Sequence, residues 1–497
     1  MRWAASALLI PLFVVSLPCS AQAHHAGELT LEPYSFRTYD GSVHPAELGH
    51  LWVPANRQLP SAKLIQLTFV RLRTSNRNPR SPVVFLPGGP GIPATSMGAV
   101  PVYYALFDKI QDFADVILLD QRGIGMSSPN TQCPKDVVRS PDVFQNESNF
   151  RVALIARARA CAVYWRAKGV DPLFFSTAAA ADDLEDLRIA LSVEKISLVA
   201  HSYGTALALD AIMRHGEHLE RVVLAGDEGP DRAVQMPLVF DFALRRLSNM
   251  AAAASDLGGA FPDTYQEFQR VLAQLNRQPI SVRIRDGQSK QEIEEKVGAF
   301  FLQFAVKEML PNARRADRIP ALVYSMAQRD SSLLALNVQD FYNALTSGFT
   351  LMEFATLCSD GWSAERMQIA RVQTSRSAFG DASFVHLDHR ICSAIGAERR
   401  NSAPLLPVWS TVPTLLVSGT LDSNAPDFGA EEDSWGFENS TFVQVENGFH
   451  ETLPSPEVQT LVTAFLGGSD VRVRQLRFPP LAFLTIDAAK APPQEPR

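Results

Sequence analysis

An apolar run, Ile196–Ala200, predicts a buried strand; it passes through His201-Ser202-Tyr203-Gly204 into Thr205–Met213, whose apolar spacing predicts a helix. A serine on so sharp a strand-to-helix turn has its hydroxyl pushed clear of the sheet, where it can attack a carbonyl carbon. Small residues two positions to either side permit the turn. Here they are Ala200 and Gly204, a methyl group replacing one of the two glycines such turns usually carry. Upstream, the apolar Val83–Leu86 leads into Pro87-Gly88-Gly89-Pro90-Gly91. Glycines there let backbone N–H groups approach a substrate closely, as is needed to hold the oxyanion that forms when a carbonyl is attacked. Tyr203, the residue after the nucleophile, is expected to give one donor and Gly89 the other, with Gly88 as the alternative.

A serine nucleophile needs a base, and the base needs a carboxylate to orient it, in the order Ser, Asp or Glu, His when the serine sits on such an elbow. After the apolar Pro413–Val417 comes Ser418-Gly-Thr-Leu-Asp422, and after the strand-like Thr441–Glu446 comes Asn447-Gly-Phe-His450. Asp422 is the expected acid and His450 the expected base. Of the ten histidines, His24 and His25 lie near the amino terminus, His44 and His50 precede the sheet, His215 and His218 fall in a connection, and His386 and His389 lie in an insertion. His201 adjoins the nucleophile but is expected to point the other way.

Together these pieces resemble the proline iminopeptidase and tripeptidyl aminopeptidase branch of the α/β-hydrolase superfamily. The resemblance rests on Gly88–Gly91, Asp120-Gln-Arg-Gly-Ile-Gly-Met-Ser127, Ala200–Thr205 and the Asp422 and His450 loops. It implies a Ser202-Asp422-His450 triad that forms an acyl-enzyme, with Asp120 and Arg122 bracing the loops beneath the site. Such proteins usually carry histidine where this chain has Pro87, a departure that bears on specificity, since the loop works through its backbone. Glu228, in Gly226-Asp-Glu-Gly-Pro230, is a candidate for holding a substrate's free amine or a solvated loop carboxylate. The resemblance favours an aminopeptidase; a carboxylesterase acting on small or xenobiotic esters is the alternative, and a turnover-dead binding protein a third reading.

The elements needed to position these residues are legible. Segments near Leu51–Val53 and over Leu64–Leu72 alternate as antiparallel strands do. Beyond them strand and helix alternate, with Thr177 expected to cap a helix whose Ala180, Leu184, Leu187 and Leu191 form one stripe, and a strand returning near Arg221–Gly226. That alternation predicts an α/β fold with a mostly parallel central sheet and helices on both faces. From residue 230 to 400 the period becomes mainly helical, in stretches such as Val239–Ala254, Tyr265–Asn276 and Gln291–Met309. The expected division is a hydrolase core over 24–229 and 401–470, a large helical lid over 230–400 with Phe300, Phe301, Phe304 and Phe341 in its core, and a tail over 471–497 with a disordered end.

Arg2, the apolar Trp3–Leu17 and the small-x-small Ala21-Gln22-Ala23 predict a signal peptide over 1–23, hence export to the periplasm or beyond. The apolar stretch is short for a membrane span, and Leu17 and Pro18 before Cys19 do not suit lipid attachment. Export places Cys133, Cys161, Cys358 and Cys392 in an oxidising space, where the local pairings 133 with 161 and 358 with 392 are favoured among three possibilities. A net charge of −7 without basic runs gives no reason to expect nucleic acid. No spacing suits a metal, no motif calls for a cofactor, and the expected partner is a small molecule or short peptide.

Overall fold

The computed structural model describes residues 24–491 apart from 58, 60–62, 136–141, 230, 232, 258, 287–288 and 398–406. The expected signal peptide, the 400/401 boundary and the last six residues therefore lie outside the described residues.

Ten strands form one sheet: β1 (Leu29–Arg37), β2 (Val43–Pro54), β3 (Leu64–Leu72), β4 (Val83–Leu86), β5 (Val116–Asp120), β6 (Ile196–His201), β7 (Leu219–Ala225) and, after a hairpin of β8 (Ile280–Arg285) with β9 (Glu292–Val297), β10 (Thr414–Gly419), β11 (Ser440–Glu446) and β12 (Gln475–Arg477). The order is β1-β2-β3-β5-β4-β6-β7-β10-β11-β12. Within it β5, β4, β6, β7, β10, β11 and β12 run parallel, and β1, β2 and β3 add an antiparallel flank. β4, β5, β6 and β10 are buried along their whole length, as continuous Val/Ile/Leu runs require when helices cover both faces. Neighbouring residues serve opposite faces. Leu198 packs with Leu184, Leu187 and Leu207, while Val199 packs with Phe107, Val458 and Val462.

Between β7 and β10 the chain leaves the sheet and builds a separate apolar cluster with the helices Pro237–Ala253, Thr264–Arg277, Ala299–Met309 and Leu351–Asp360. The same cluster takes in Val143, Phe144, Phe150 and Leu154, from the segment before β6. Phe144 meets Phe301 edge-on at 4.8 Å and Phe150 lies 5.1 Å from Phe304. The insertion is thus packed on chain that precedes the nucleophile as well as on itself.

Two sequence expectations are corrected, and two strands, β1 and β12, were not foreseen. Residues 291–309 are not one helix, since Glu292–Val297 pairs with β8 and only Ala299–Met309 is helical. The break falls at Gly298, where a Cβ would sit 2.0 Å from the carbonyl oxygen of Gln145. Ser176, rather than Thr177, caps the helix Thr177–Ala190, its side chain accepting from the Ala179 N–H. Within the tail, ahead of the end that lies outside the described residues, β12 extends the sheet and Arg318 donates to the Ala489 carbonyl at 2.9 Å. β1 is a further strand that its mostly exposed side chains concealed. The structure joins Cys133 to Cys161 and Cys358 to Cys392.

Candidate active site

The residues singled out above lie just past the carboxyl ends of five neighbouring strands: Gly88 and Gly89 after β4, Ser202 after β6, Glu228 after β7, Asp422 after β10 and His450 after β11. This is the edge where open parallel sheets bind ligands, because all the loops there converge.

Ser202 has φ +56° and ψ −130°, a conformation that costs a non-glycine residue on the order of 1–3 kcal/mol and persists only where its surroundings impose it. Those surroundings are visible. The Ser202 N–H donates to the Ala225 carbonyl at 3.0 Å, and its own carbonyl accepts from the Thr205 N–H at 2.7 Å and the Thr205 hydroxyl at 2.6 Å. Gly204 has no room for a side chain, since a Cβ would lie 2.0 Å from the Leu86 carbonyl oxygen. Ala200 is fully buried, so the methyl at that position is accommodated.

Gly88 faces the serine, and a Cβ there would stand 2.6 Å from Ser202 Cβ and 3.0 Å from its Oγ. Gly89 has φ +116°, which favours glycine. Tyr203 opens the helix Tyr203–His215, so its N–H belongs to the turn that a helix leaves without internal partners. The Tyr203 phenol meets the Thr177 hydroxyl at 2.8 Å, and that hydroxyl donates to Asp360 at the end of the helix Leu351–Asp360.

Asp422 and His450 meet. Asp422 Oδ2 lies 2.7 Å from His450 Nδ1, and Asp422 Oδ1 accepts from the N–H groups of Asn424 at 2.8 Å and Ala425 at 2.9 Å. Both side chains are buried, Asp422 completely. Burial would lower the imidazole, but the charge and hydrogen bond of Asp422, with Glu228 and Glu451 behind it, push His450 up to about 9. His450 Nε2 is buried without a hydrogen-bond partner among the described residues. The Ser202 hydroxyl donates instead to Glu228 Oε1, at 3.0 Å. Glu228 is therefore in the site, not a solvated loop carboxylate; burial raises it, against the opposing effects of His450 and of the Ser202 hydrogen bond.

His201, expected to point away from the nucleophile, packs against the candidate base. Its ring lies 5.0 Å from that of His450, with Nε2 3.3 Å from the His450 carbonyl oxygen, and burial beside His450 lowers it to about 3. Other histidines have partners elsewhere: His215 on Asp182, His218 on Glu185, His24 on Trp52, His44 on Tyr104 and His389 on Trp362. Asp120 accepts from the Thr95 N–H at 3.0 Å and the Met126 N–H at 2.8 Å, and Arg122 grips Asp183 and the carbonyls of Phe174 and Ala55. These bonds tie the loops after β4 and β5 beneath the site.

A cavity of about 1150 Å³ opens beside the serine, with Gly89, Tyr203 and Glu228 on one wall and the insertion on the other. Phe304 and Phe341 line it, whereas Phe301 is fully buried and Phe300 nearly so, which divides a set expected to lie together in the lid core. Sequence reasoning missed the carboxylates of the helix Leu351–Asp360. Burial pushes Glu353 up to about 7 and Asp360 up to about 6. The one signal, Thr350-x-x-Glu353, marks a helix start and does not say where that start faces. Lys307 and Glu308 were missed in the same way, and His386, expected in the insertion at the surface or in a satisfied core, lines the same cavity. No group of residues able to hold a metal ion occurs among the described residues, and none of the described helices is long and apolar enough to cross a membrane.

The family described as "alpha/beta hydrolase fold" matches residues 81–455. Among curated proteins, a tripeptidyl aminopeptidase of Streptomyces coelicolor is 31% identical over 203 residues, 38% of this chain and 36% of that protein. Serine protease Hip1 of Mycobacterium tuberculosis is 23% identical over 189 residues, 37% of this chain and 36% of its own length. The chain thus matches about a third of the length of these relatives. Among solved structures, the proline iminopeptidase-related protein of Thermus thermophilus shares 17% identity with a TM-score of 0.37, covering 84% of this chain and 96% of its own. An esterase of Thermogutta terrifontis gives 17% and 0.36, covering 84% and 98%.

Proposed function

The chain belongs to the α/β-hydrolase fold family, and from that premise we propose that it is an exported serine hydrolase of aminopeptidase type. Ser202 attacks the scissile carbonyl, His450 takes the hydroxyl proton and returns it to the leaving group, and Asp422 orients the imidazole and stabilises its charged form. The N–H groups of Tyr203 and Gly89, or Gly88 in place of Gly89, hold the oxyanion; water then releases the acyl group by the same steps reversed in role. The two disulfides support export, since such bonds persist in oxidising compartments.

The observation that carries the catalytic reading is the buried 2.7 Å Asp422–His450 hydrogen bond beside a serine held at positive φ. The preference for peptides rests on the cavity. Its volume exceeds what a small ester fills, and Glu228, Glu353 and Asp360 give it carboxylates that suit a free amino terminus. The part-aromatic wall, including Phe304 and Phe341, favours the second reading, a carboxylesterase. Proline, alanine and tripeptide nitroanilides, compared with short nitrophenyl esters, decide between them. Release of nitroaniline from free but not amino-blocked peptides is expected. Cleavage of blocked esters with no amide turnover would leave only the esterase.

A further inference from the structure

The nucleophile's proton is directed at the wrong partner for attack. Ser202 donates to Glu228 Oε1 at 3.0 Å, while His450 Nε2, the atom that must receive that proton, is buried and unpartnered among the described residues. The arrangement is pinned. The Glu228 N–H donates to Thr205 Oγ1 at 2.8 Å, and the same hydroxyl donates to the Ser202 carbonyl, so acid and serine hang from one anchor. At Gly226, two residues earlier on the same loop, a Cβ would lie 3.0 Å from His450 Cε1, so this loop touches both halves of the pair. We propose that Glu228 is a positioning residue that holds the site at rest, its carboxylate competing with His450 for the Ser202 hydroxyl.

The proposal rests on the serine-hydrolase reading. The charge of Glu228 acts twice, by accepting the hydroxyl and by favouring the imidazolium that cannot act as a base. Facing Glu228 are Ser202 from the elbow, His450, Asp422, and Lys307 from the helix Ala299–Met309. Facing His450 are Asp422, Glu228, Glu451 and the neutral His201. Among these, Glu228 alone contacts the serine oxygen. A proton or a substrate ammonium on its carboxylate would free the hydroxyl for Nε2 and, by removing a negative charge, lower the imidazole toward neutrality.

The test is the rate at which a small uncharged fluorophosphonate labels Ser202 as a function of pH, which needs a neutral His450 but no substrate amine. In the native protein the rate should climb with pH through a midpoint near 9, where half of His450 has lost its proton, and level off above it. In Glu228→Gln the climb should move about one pH unit lower, with labelling about tenfold faster at pH 7. Glu228→Asp, which keeps the charge but is too short for the contact, should keep the native midpoint with a higher plateau, and serves alone if the glutamine variant does not fold. An unmoved midpoint in Glu228→Gln, or a lower plateau in Glu228→Asp, overturns the proposal and leaves the hydrolase reading intact. Failure of the native protein to label at any pH overturns both.

Discussion

Ser202 and Gly88 set each other's limits. The backbone of Gly88 is not in the positive-φ region, so any penalty for a side chain there comes from the 2.6 Å approach of its Cβ to Ser202 Cβ. Gly88→Ala must push either the loop after β4 or the elbow, and both carry groups assigned to the reaction. Turnover of the best nitroanilide or ester should fall by at least about 10²-fold, the scale of losing one oxyanion donor. Steady-state kinetics check this, with a thermal melt to confirm that the variant folds; retention of full activity would mean that the loop does not border the reacting atoms. At this scale the sequence was informative where a residue type is constrained by strand ends, as for Ser202, Asp422 and His450. It was silent where a contact depends on side-chain direction. Glu228 was visible as a carboxylate near a strand end, but its bond to Ser202 follows from the hydroxyl of Thr205 holding its backbone, which no spacing rule reports.

The helix Leu351–Asp360 shows how one element can be held and yet carry stored cost. Its start is secured by a capping box in which Thr350 accepts from the Glu353 N–H and Glu353 reaches back to the Thr350 N–H. The same Glu353 lines the cavity and is pushed up to about 7 by burial. A carboxyl whose folded-state value lies above its unfolded value of 4.5 favours the folded state while protonated, so its stabilisation is complete below about 4.5 and is lost as pH rises through about 7. Glu353→Gln keeps the capping box and removes the ionisation. The unfolding midpoint of the variant should exceed that of the native protein above pH 7 and match it near pH 4.5. Equal pH dependence in both would show that Glu353 titrates normally. Elements were legible wherever one period ran unbroken, as in Pro237–Ala253 and Thr264–Arg277. The β8–β9 hairpin was not, because Glu292–Val297 runs straight into the helix Ala299–Met309 and only Gly298 punctuates them. β12 was hidden by its brevity and exposure at a sheet edge.

Across the whole molecule, the parallel sheet fixes five loops along one edge, and the insertion covers that edge without contributing to the sheet. The His450 N–H donates to the Pro311 carbonyl at 3.0 Å, and Asp360 holds Thr177 against Tyr203, so the insertion is bonded to the loops that carry the candidate base and oxyanion donor. Fold class and loop convergence could be read from alternating strand and helix patterns; the shape of the cavity could not, because it is set by how two apolar clusters meet. In the proposed mechanism Ser202, Asp422 and His450, drawn from loops spread over residues 202 to 450, act as one nucleophilic unit. Mass-spectrometric mapping of a fluorophosphonate adduct tests it most directly. A single adduct on Ser202 is expected, lost in Ser202→Ala and slowed by about 10³-fold or more in His450→Ala. An adduct on any other residue, or labelling of Ser202 at native rate without His450, would contradict it.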